Sequence, residues 1–390
     1  MNTNVRTLTL SVLVGPLGLF VGCAGAGVKP DAVDTQASQD AQRDPVAVLI
    51  GDADQLAARD QLDEALTKYN QALEKEPGNV SARLGIARVN TKLKKFDEAK
   101  QELLALYEAQ PDNKDVLVGL GQLHELTGSY EDGISLYKGA LEKDPYDSGL
   151  LNQLIVLYRL SGDFKSAERT CTTLLSRDPG NSAALKNLSL VHYDQGNYAL
   201  SETIAINSLK LNEKDAALLN NRGMIRVKRE RYVEAMPFFR KAVEIDPSLT
   251  AAHLNIGAIA LRFRDYETAA SHYGKAVQLE PRQLEANLGY AFALAGQEKS
   301  DDAVSQLDRV LQLDATQCDA LSEKSRVLKQ MKSDLDGALT AAESYVTCRG
   351  KLRADDPMAM ELENIRNEIA AKKMAEEAMR EQAAAEGGGS

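Results

Sequence analysis

An interval of 34 residues orders the prolines of this chain and constrains its fold more than any other feature. Six of the eleven prolines lie on one grid with this interval, and a glutamate and an alanine occupy its other two points. A fixed period of this length is typical of repeat architectures, in which one supersecondary unit recurs. The prolines are Pro77, Pro111, Pro145, Pro179, Pro247 and Pro281, and the other points are Glu213 and Ala315.

Columns of small and bulky residues share the phase of this grid. Small residues let two helix backbones approach, and a bulky residue beside them fills the remaining space. Proline ends the second helix of each unit, because it lacks an N–H and clashes with the preceding turn. One small column, interrupted at a single point, is Ala53, Ala87, Gly121, Ile155, Ser189, Gly223, Gly257 and Ala291. The bulky column is mostly aromatic and consists of Leu62, Phe96, Tyr130, Phe164, Tyr198, Tyr232, Tyr266 and, as its one small member, Ser300.

A helix pair of this kind cannot bury its apolar stripe alone, so neighbouring pairs have to stack on one another. The composition favours helices over sheets, since tryptophan is absent and aromatic residues make up only 5% of the chain. Folds rich in β-structure rely on aromatic and β-branched residues. The sequence therefore predicts an all-α protein built as a stack of helix pairs.

The columns resemble the consensus of the tetratricopeptide repeat family, in which small residues, an aromatic residue and a terminal proline occupy these positions. The resemblance implies a right-handed α-solenoid over residues 46–351, with eight full units and a degenerate ninth unit that begins at Cys318. It is clearest in the third unit, where the matching residues are Tyr130, Glu131, Asp132, Gly133, Tyr137, Ala140, Leu141 and Pro145.

Residues 352–390 follow the repeats and are rich in charged residues as far as Glu386. One apolar stripe at helical spacing lies near their start and is suited to capping the last repeat. Beyond Lys372 little apolar face remains, so we expect a projecting helix that frays at the C terminus. The residues of the stripe are Met358, Leu362, Ile365 and Ile369.

Residues 1–22 are predicted to be an export signal that is removed. Arg6 precedes an apolar stretch that is short for a transmembrane helix and that ends in small residues. Its last residues, Phe20-Val21-Gly22-Cys23, resemble the bacterial lipobox. The resemblance implies that Cys23 is lipidated and becomes the first residue of the mature protein. The alternatives are an uncleaved anchor and an ordinary signal peptide followed by a chance cysteine.

Residues 23–45 are rich in alanine, glycine, aspartate and glutamine and show no apolar periodicity, so we expect a flexible tether. Several acyl chains on Cys23, palmitate among them, would give stable membrane attachment. Ala24 stands where an aspartate would retain an enterobacterial lipoprotein at the inner membrane. By this sorting rule the protein is predicted to lie at the outer membrane and to face the periplasm.

The sequence contains no pattern typical of an enzyme, a cofactor site or a nucleic-acid-binding protein. The formal net charge of −11 argues against nucleic acid, which requires a basic surface. No phosphate-loop, nucleophile-elbow or zinc-protease motif occurs. The four histidines lack metal-ligand spacing, although His253 and His272 could meet within one hairpin. We therefore expect a protein that catalyses nothing, holds no metal or cofactor, and binds other proteins.

Three cysteines lie within the repeats. Cys171 occupies an inward position of a second helix, where a buried free thiol is expected. Cys318 opens the ninth unit and Cys348 lies near its end, and these two points are neighbours in an antiparallel hairpin. A disulfide is plausible in an oxidising periplasm, and two free thiols are the alternative.

In the tetratricopeptide family the first helix of each unit lines a concave groove in which extended peptides lie. Asparagines recur here on first helices, with a glutamine one unit earlier, and matching asparagines in sugar-transferase members grip a peptide backbone. A side-chain amide suits this role because it both donates and accepts hydrogen bonds. The alternative is that asparagine is simply common at this repeat position. The predicted groove residues are Gln153, Asn187, Asn221 and Asn255.

The chain is similar in architecture to tetratricopeptide lipoproteins that serve type IV pilus secretins or gliding-motility complexes. This resemblance implies a lipid-anchored scaffold or assembly factor that binds envelope proteins or extended peptide segments. Two alternatives remain open at the level of the sequence. One is a periplasmic chaperone with many clients, and the other is an accessory subunit of a peptidoglycan enzyme.

Overall fold

The computed structural model describes residues 44–350 and 356–387, which form nineteen α-helices and no strands. This confirms the all-α prediction. The helices are α1 (Pro45–Ala58), α2 (Leu62–Lys75), α3 (Val80–Lys92), α4 (Phe96–Ala109), α5 (Lys114–Thr127), α6 (Tyr130–Leu141), α7 (Ser148–Leu160), α8 (Phe164–Arg177), α9 (Ser182–Asp194), α10 (Tyr198–Leu211), α11 (Ala216–Lys228), α12 (Tyr232–Ile245), α13 (Thr250–Arg262), α14 (Tyr266–Leu279), α15 (Leu284–Gly296), α16 (Ser300–Leu313), α17 (Cys318–Lys332), α18 (Leu335–Arg349) and α19 (Pro357–Gly387).

We number the helices in sequential pairs, from hairpin 1 (α1 and α2) to hairpin 9 (α17 and α18). Contacts divide the chain into two compact units, one ending at Ile225 and the other beginning at Arg226, so the boundary falls inside α11. The second helices α2, α4, α6, α8, α12, α14 and α16 each also pack against the first helix that follows. Each unit is thus the stack of helix pairs that the repeat predicts.

A polar residue two positions after a grid proline caps the N terminus of the first helix of the next hairpin. The Asn79 side chain accepts a hydrogen bond from the backbone N–H of Ala82 at 3.0 Å, and Asp147 accepts one from Leu150 at 2.9 Å. Such caps satisfy N–H groups that have no partner within the helix. The proline and the cap together set the short connection between hairpins. The same arrangement recurs at Asn113 and Asn181.

Small and large side chains complement each other inside the hairpins. A Cβ atom on Gly121 would overlap the ring of Tyr137, which is fully buried. One repeat later this combination is reversed, since Ile155 replaces the glycine and Cys171 replaces the tyrosine. Both replacements are fully buried in one core cluster, so the larger first residue is balanced by a smaller second one. The exception in the small column therefore conserves volume.

Helix α19 covers the open side of hairpin 9. Met358 and Ile365 are buried against α17 and α18, and Leu362 and Ile369 pack partly into the same cluster. Lys329 of α17 forms ion pairs of 2.9 Å with two carboxylates of α19, those of Glu361 and Glu368. The apolar stripe that the sequence assigns to capping thus lies against the last repeat.

Candidate functional site

The first helices of successive hairpins lie closer together than the second helices. In the unit that ends at Ile225, each of the helices α1, α3, α5, α7 and α9 contacts the next. Within the part of the chain that the structure describes, no two even-numbered helices pack together to the same extent. The more closely spaced helices lie on the inner side of a curved stack, so the first helices of this unit line its concave face.

Side-chain amides from neighbouring first helices meet on this face. The Nδ2 atom of Asn187 in α9 donates to Oδ1 of Asn152 in α7 over 3.2 Å. Asn187 is only 6% exposed, whereas Asn152 and the adjacent Gln153 are half-buried. Asn187 and Gln153 belong to the predicted groove set, and Asn152 was missed. Together with Asn221 these residues are the amide row.

Asn221 of α11 lacks the hydrogen bond that its neighbour makes. The residue is 4% exposed, and its Nδ2 atom is buried without an acceptor among the described residues. A buried N–H group without an acceptor costs about 1–3 kcal/mol, so this amide is the least satisfied member of the row. The remaining predicted residue, Asn255, is half-buried in α13 and belongs to the unit that begins at Arg226.

A charged row crosses the same helices. Nη1 of Arg159 in α7 lies 2.5 Å from Oδ2 of Asp194 in α9, and the arginine is 8% exposed. Burial raises the pKa of Glu125 in α5, and the positive charge of Arg159 opposes that shift. The sequence offered one signal for this row. Arg159 and Asp194 each stand seven residues after an asparagine of the amide row.

Seven residues make almost two helical turns, which places the two rows on one side of the helices, about 10 Å apart. The Asn152–Asn187 pair and the Arg159–Asp194 pair therefore form parallel steps between α7 and α9. Amides can hydrogen-bond to any peptide backbone, whereas the charges favour particular side chains. The concave face thus offers two kinds of contact to an extended segment.

The structure also brings His253 and His272 together, inside hairpin 7. Their Nδ1 atoms are 3.0 Å apart, and Nε2 of His253 lies 3.1 Å from the carbonyl oxygen of Pro247. Since a carbonyl only accepts, His253 carries its proton on Nε2 and accepts at Nδ1 from His272. Burial lowers the pKa of both rings, that of His272 to about 4 with further contributions from His253 and Arg240. The hydrogen-bonded pair joins α13 to α14.

The three repeat cysteines have two different environments. Cys318 and Cys348 are joined by a disulfide with a Cα–Cα distance of 5.7 Å, which links the start of α17 to the end of α18. Cys171 is a buried free cysteine, and burial raises the pKa of its thiol to about 12. Such a thiol stays protonated at neutral pH and is a poor nucleophile or metal ligand.

The predicted lipid site and most of the predicted tether fall outside the described residues. Cys23 and the signal segment 1–22 lie before residue 44, where the description begins. Among the described helices, none combines the length and the apolar character that a membrane span requires. Across residues 44–350 and 356–387, no three histidine, cysteine or acidic side chains are grouped to hold a metal ion.

Models of the tetratricopeptide repeat match residues 56–123, 126–189 and 260–324, and a second such model matches residues 194–249. The first model alone covers half of the chain. No curated protein matches the sequence significantly. Proteins of this fold are generally protein-binding scaffolds without catalytic activity, and no catalytic family is indicated.

Three solved structures illustrate the similarity in fold. PilF of Pseudomonas aeruginosa is 21% identical with a TM-score of 0.47, and the match covers 56% of this chain and 96% of PilF. YrrB, described as a TPR protein with an unusual peptide-binding site, is 18% identical with a TM-score of 0.44, covering 50% of this chain and 97% of YrrB. The human IFIT1 dimer with m7Gppp-AAAA is 15% identical with a TM-score of 0.48, and the match covers 85% of this chain and 84% of the IFIT1 chain. The repeat models and the stacked hairpins together establish that the chain belongs to the tetratricopeptide repeat family.

Proposed function

We propose that this protein is a lipid-anchored scaffold of the bacterial envelope, and that its concave face binds an extended segment of a partner protein. The observation that carries the binding part is the amide row, above all the buried Nδ2 of Asn221 that lacks an acceptor. The tetratricopeptide fold binds peptides or proteins. The partner is therefore a polypeptide, and the row would bind its backbone.

The free energy of the unsatisfied amide favours this assignment. In the proposed complex, a backbone carbonyl of the partner accepts a hydrogen from Nδ2 of Asn221. Binding would then remove the cost of about 1–3 kcal/mol that the free protein carries. Asn187 would gain less, because it already donates to Asn152.

Asn221→Ala is expected to weaken partner binding about tenfold, the equivalent of one hydrogen bond, without destabilising the free protein. The side chain has no Nδ2 bond to lose before the partner binds. The tagged full-length chain is recovered from detergent-solubilised envelope, and each co-purified protein is quantified by mass spectrometry. Thermal denaturation of the purified variant checks that the fold is retained.

Asn207→Ala is the matched control, since Asn207 is exposed on the second helix α10 of the same unit. Equal recovery of every envelope protein by the wild type, Asn221→Ala and the double variant Asn187→Ala/Asn221→Ala would remove the groove assignment. Recovery of many unrelated proteins, all dependent on the amide row, would instead favour the chaperone alternative. Stimulation of a peptidoglycan enzyme by the purified chain would favour the accessory-subunit alternative.

The anchoring part rests on the lipobox-like residues that end at Cys23, followed by a tether-like composition. Cys23→Ser is expected to abolish labelling by radioactive palmitate and to release most of the protein from the membrane fraction, because the acylated sulfur is lost. Cys171→Ser serves as the control, since that thiol is buried in a repeat. Unchanged labelling and fractionation of Cys23→Ser would contradict the anchor.

The cellular setting that we propose is an outer-membrane assembly facing the periplasm, in a pilus, secretion or gliding-motility complex. Support for this setting comes from the order of segments in the sequence, in which a lipobox-like cysteine precedes a segment of tether-like composition and then the repeats. The partners recovered with the wild type but not with Asn221→Ala identify the assembly. Partners that all belong to the inner membrane would contradict the proposed location at the outer membrane.

A further inference from the structure

Two large apolar side chains are exposed at turns of the second unit. Val233, in the first turn of α12, is 80% exposed, and Phe263, in the turn between α13 and α14, is 58% exposed. Neither residue belongs to the amide row. The exposed part of each side chain stays in water on folding and adds nothing to stability, so packing does not account for it.

The other repeats provide an internal comparison for both positions. The position of Val233 carries a charged residue in most hairpins, namely Asp63, Asp97, Glu131, Lys165, Glu267 and Asp301, with Ala199 as the exception. The position of Phe263 is occupied by Arg59, Thr127, Ser161, Gln195, Arg229 and Gln297, or by Leu93, which packs on the core of hairpin 1. Exposed apolar residues are therefore not required by the hairpin at these positions.

Arginine and aromatic groups surround these two side chains. The rings of Tyr232 and Phe263 meet edge to face with their centroids 6.2 Å apart. The guanidinium carbon of Arg262 lies 4.4 Å from the centroid of the Tyr232 ring. Tyrosine and arginine are among the residue types that are enriched where binding energy concentrates at protein interfaces. We name Tyr232, Val233, Arg262 and Phe263 the turn-edge patch.

The charges at the patch favour an acidic partner. Stacking on Tyr232 holds the planar guanidinium of Arg262 in place, and such a fork pairs with carboxylates through two hydrogen bonds. Two of the nearby acidic residues have other roles. Glu234 pairs with Arg231 at 2.8 Å, and Asp265 accepts from the backbone N–H of Thr268 at 3.1 Å. They therefore do not replace an incoming carboxylate.

We propose that the turn-edge patch is a second docking surface, which binds a protein segment carrying carboxylates beside an apolar side chain. Val233 and Phe263 would contact the apolar side chain, and Arg262 would pair with a carboxylate. A lipid surface is a poorer match, because membrane binding grows with the apolar area inserted and only two apolar side chains are exposed here. The patch would allow the scaffold to hold two partners at once.

Val233→Asp/Phe263→Gln tests the patch with the residues that hairpin 8 carries at the same positions, Asp301 and Gln297, so the fold is expected to be retained. The full-length chain is used with Cys23→Ser, so that no acyl group contributes to lipid binding. The binding probes are peptide arrays that present phenylalanine or leucine flanked by acidic residues, by lysines or by serines. Vesicles of phosphatidylglycerol and sedimentation velocity measure binding to lipid and to a second copy.

The unsubstituted patch is expected to bind the acidic peptides at least about tenfold more tightly than the lysine-flanked peptides, and the double substitution is expected to remove this preference. Leu211→Lys is the control, because Leu211 is also exposed and hairpin 3 carries Lys143 at that position. Asn221→Ala should leave the preference intact, which separates this proposal from the groove. Equal binding by the patch variant, equal binding of lysine-flanked peptides, stronger binding to the vesicles, or self-association that depends on the patch would each overturn it.

Discussion

Gly121→Ile is expected to lower the free energy of unfolding by about 3 kcal/mol, because the added side chain would overlap the buried ring of Tyr137. The gain in helix propensity over glycine, about 0.5 kcal/mol, offsets little of this cost. Denaturation by urea, followed by circular dichroism, measures the change. Gly139→Ile is the matched control in the same hairpin, since a Cβ atom there meets nothing within 4 Å.

Hairpin 4 suggests how to restore the packing of hairpin 3. It carries Ile155 and Cys171 at the positions of Gly121 and Tyr137. Tyr137→Cys alone should cost about 3 kcal/mol through the cavity that it leaves. The double variant Gly121→Ile/Tyr137→Cys should lose markedly less stability than the sum of the two single losses. The isoleucine side chain would occupy the space that the tyrosine ring leaves. Additive losses would show that the two columns do not compensate in volume.

Loss of the Cys318–Cys348 disulfide is expected to destabilise hairpin 9 by about 3–4 kcal/mol, the chain-entropy value for a loop of this length. The bond spans 30 residues and encloses nearly all of α17 and α18. Cys318→Ser/Cys348→Ser should therefore expose amides of α17, α18 and α19 to faster hydrogen exchange, while the unit that ends at Ile225 stays unchanged. Neighbouring hairpins support each other locally in a stack, so the effect should remain near the C terminus.

Reduction provides an independent form of the same experiment. Dithiothreitol should accelerate exchange in hairpin 9 of the wild type and should leave the double serine variant unaffected. Alkylation in denaturant without a reductant should modify Cys171 and leave Cys318 and Cys348 unmodified. Modification of all three residues in protein taken directly from the envelope would mean that the bond does not form there.

Much of the fold could be predicted because the information that specifies a hairpin is local and is repeated. The proline, the cap two residues later and the alternation of small and bulky columns each act within about one repeat. The position of a residue within the 34-residue period therefore predicts where helices pair. Even the exception at Ile155 is balanced inside its own hairpin, by the smaller Cys171. The apolar stripe of α19 was predictable for the same reason, since helical spacing defines one face.

The amide row was predictable only in part. The sequence indicated Gln153, Asn187 and Asn221 through their common repeat position, but it did not show that Asn187 would donate to Asn152. It likewise left the state of Cys318 and Cys348 open until the structure brought them together in a disulfide. In both cases the partner lies on another helix, and its identity depends on how that helix is rotated and shifted.

The sequence by itself determined the helix pairs, their order and the residues that form their cores, because caps, prolines and packing columns act over short distances along the chain. Only the tertiary structure decided that Arg159 reaches Asp194, that Asn221 lacks an acceptor, and that Phe263 lies against Tyr232. These features arise between helices or between hairpins. The offset from one helix to the next sets them, and no single column of the repeat encodes that offset.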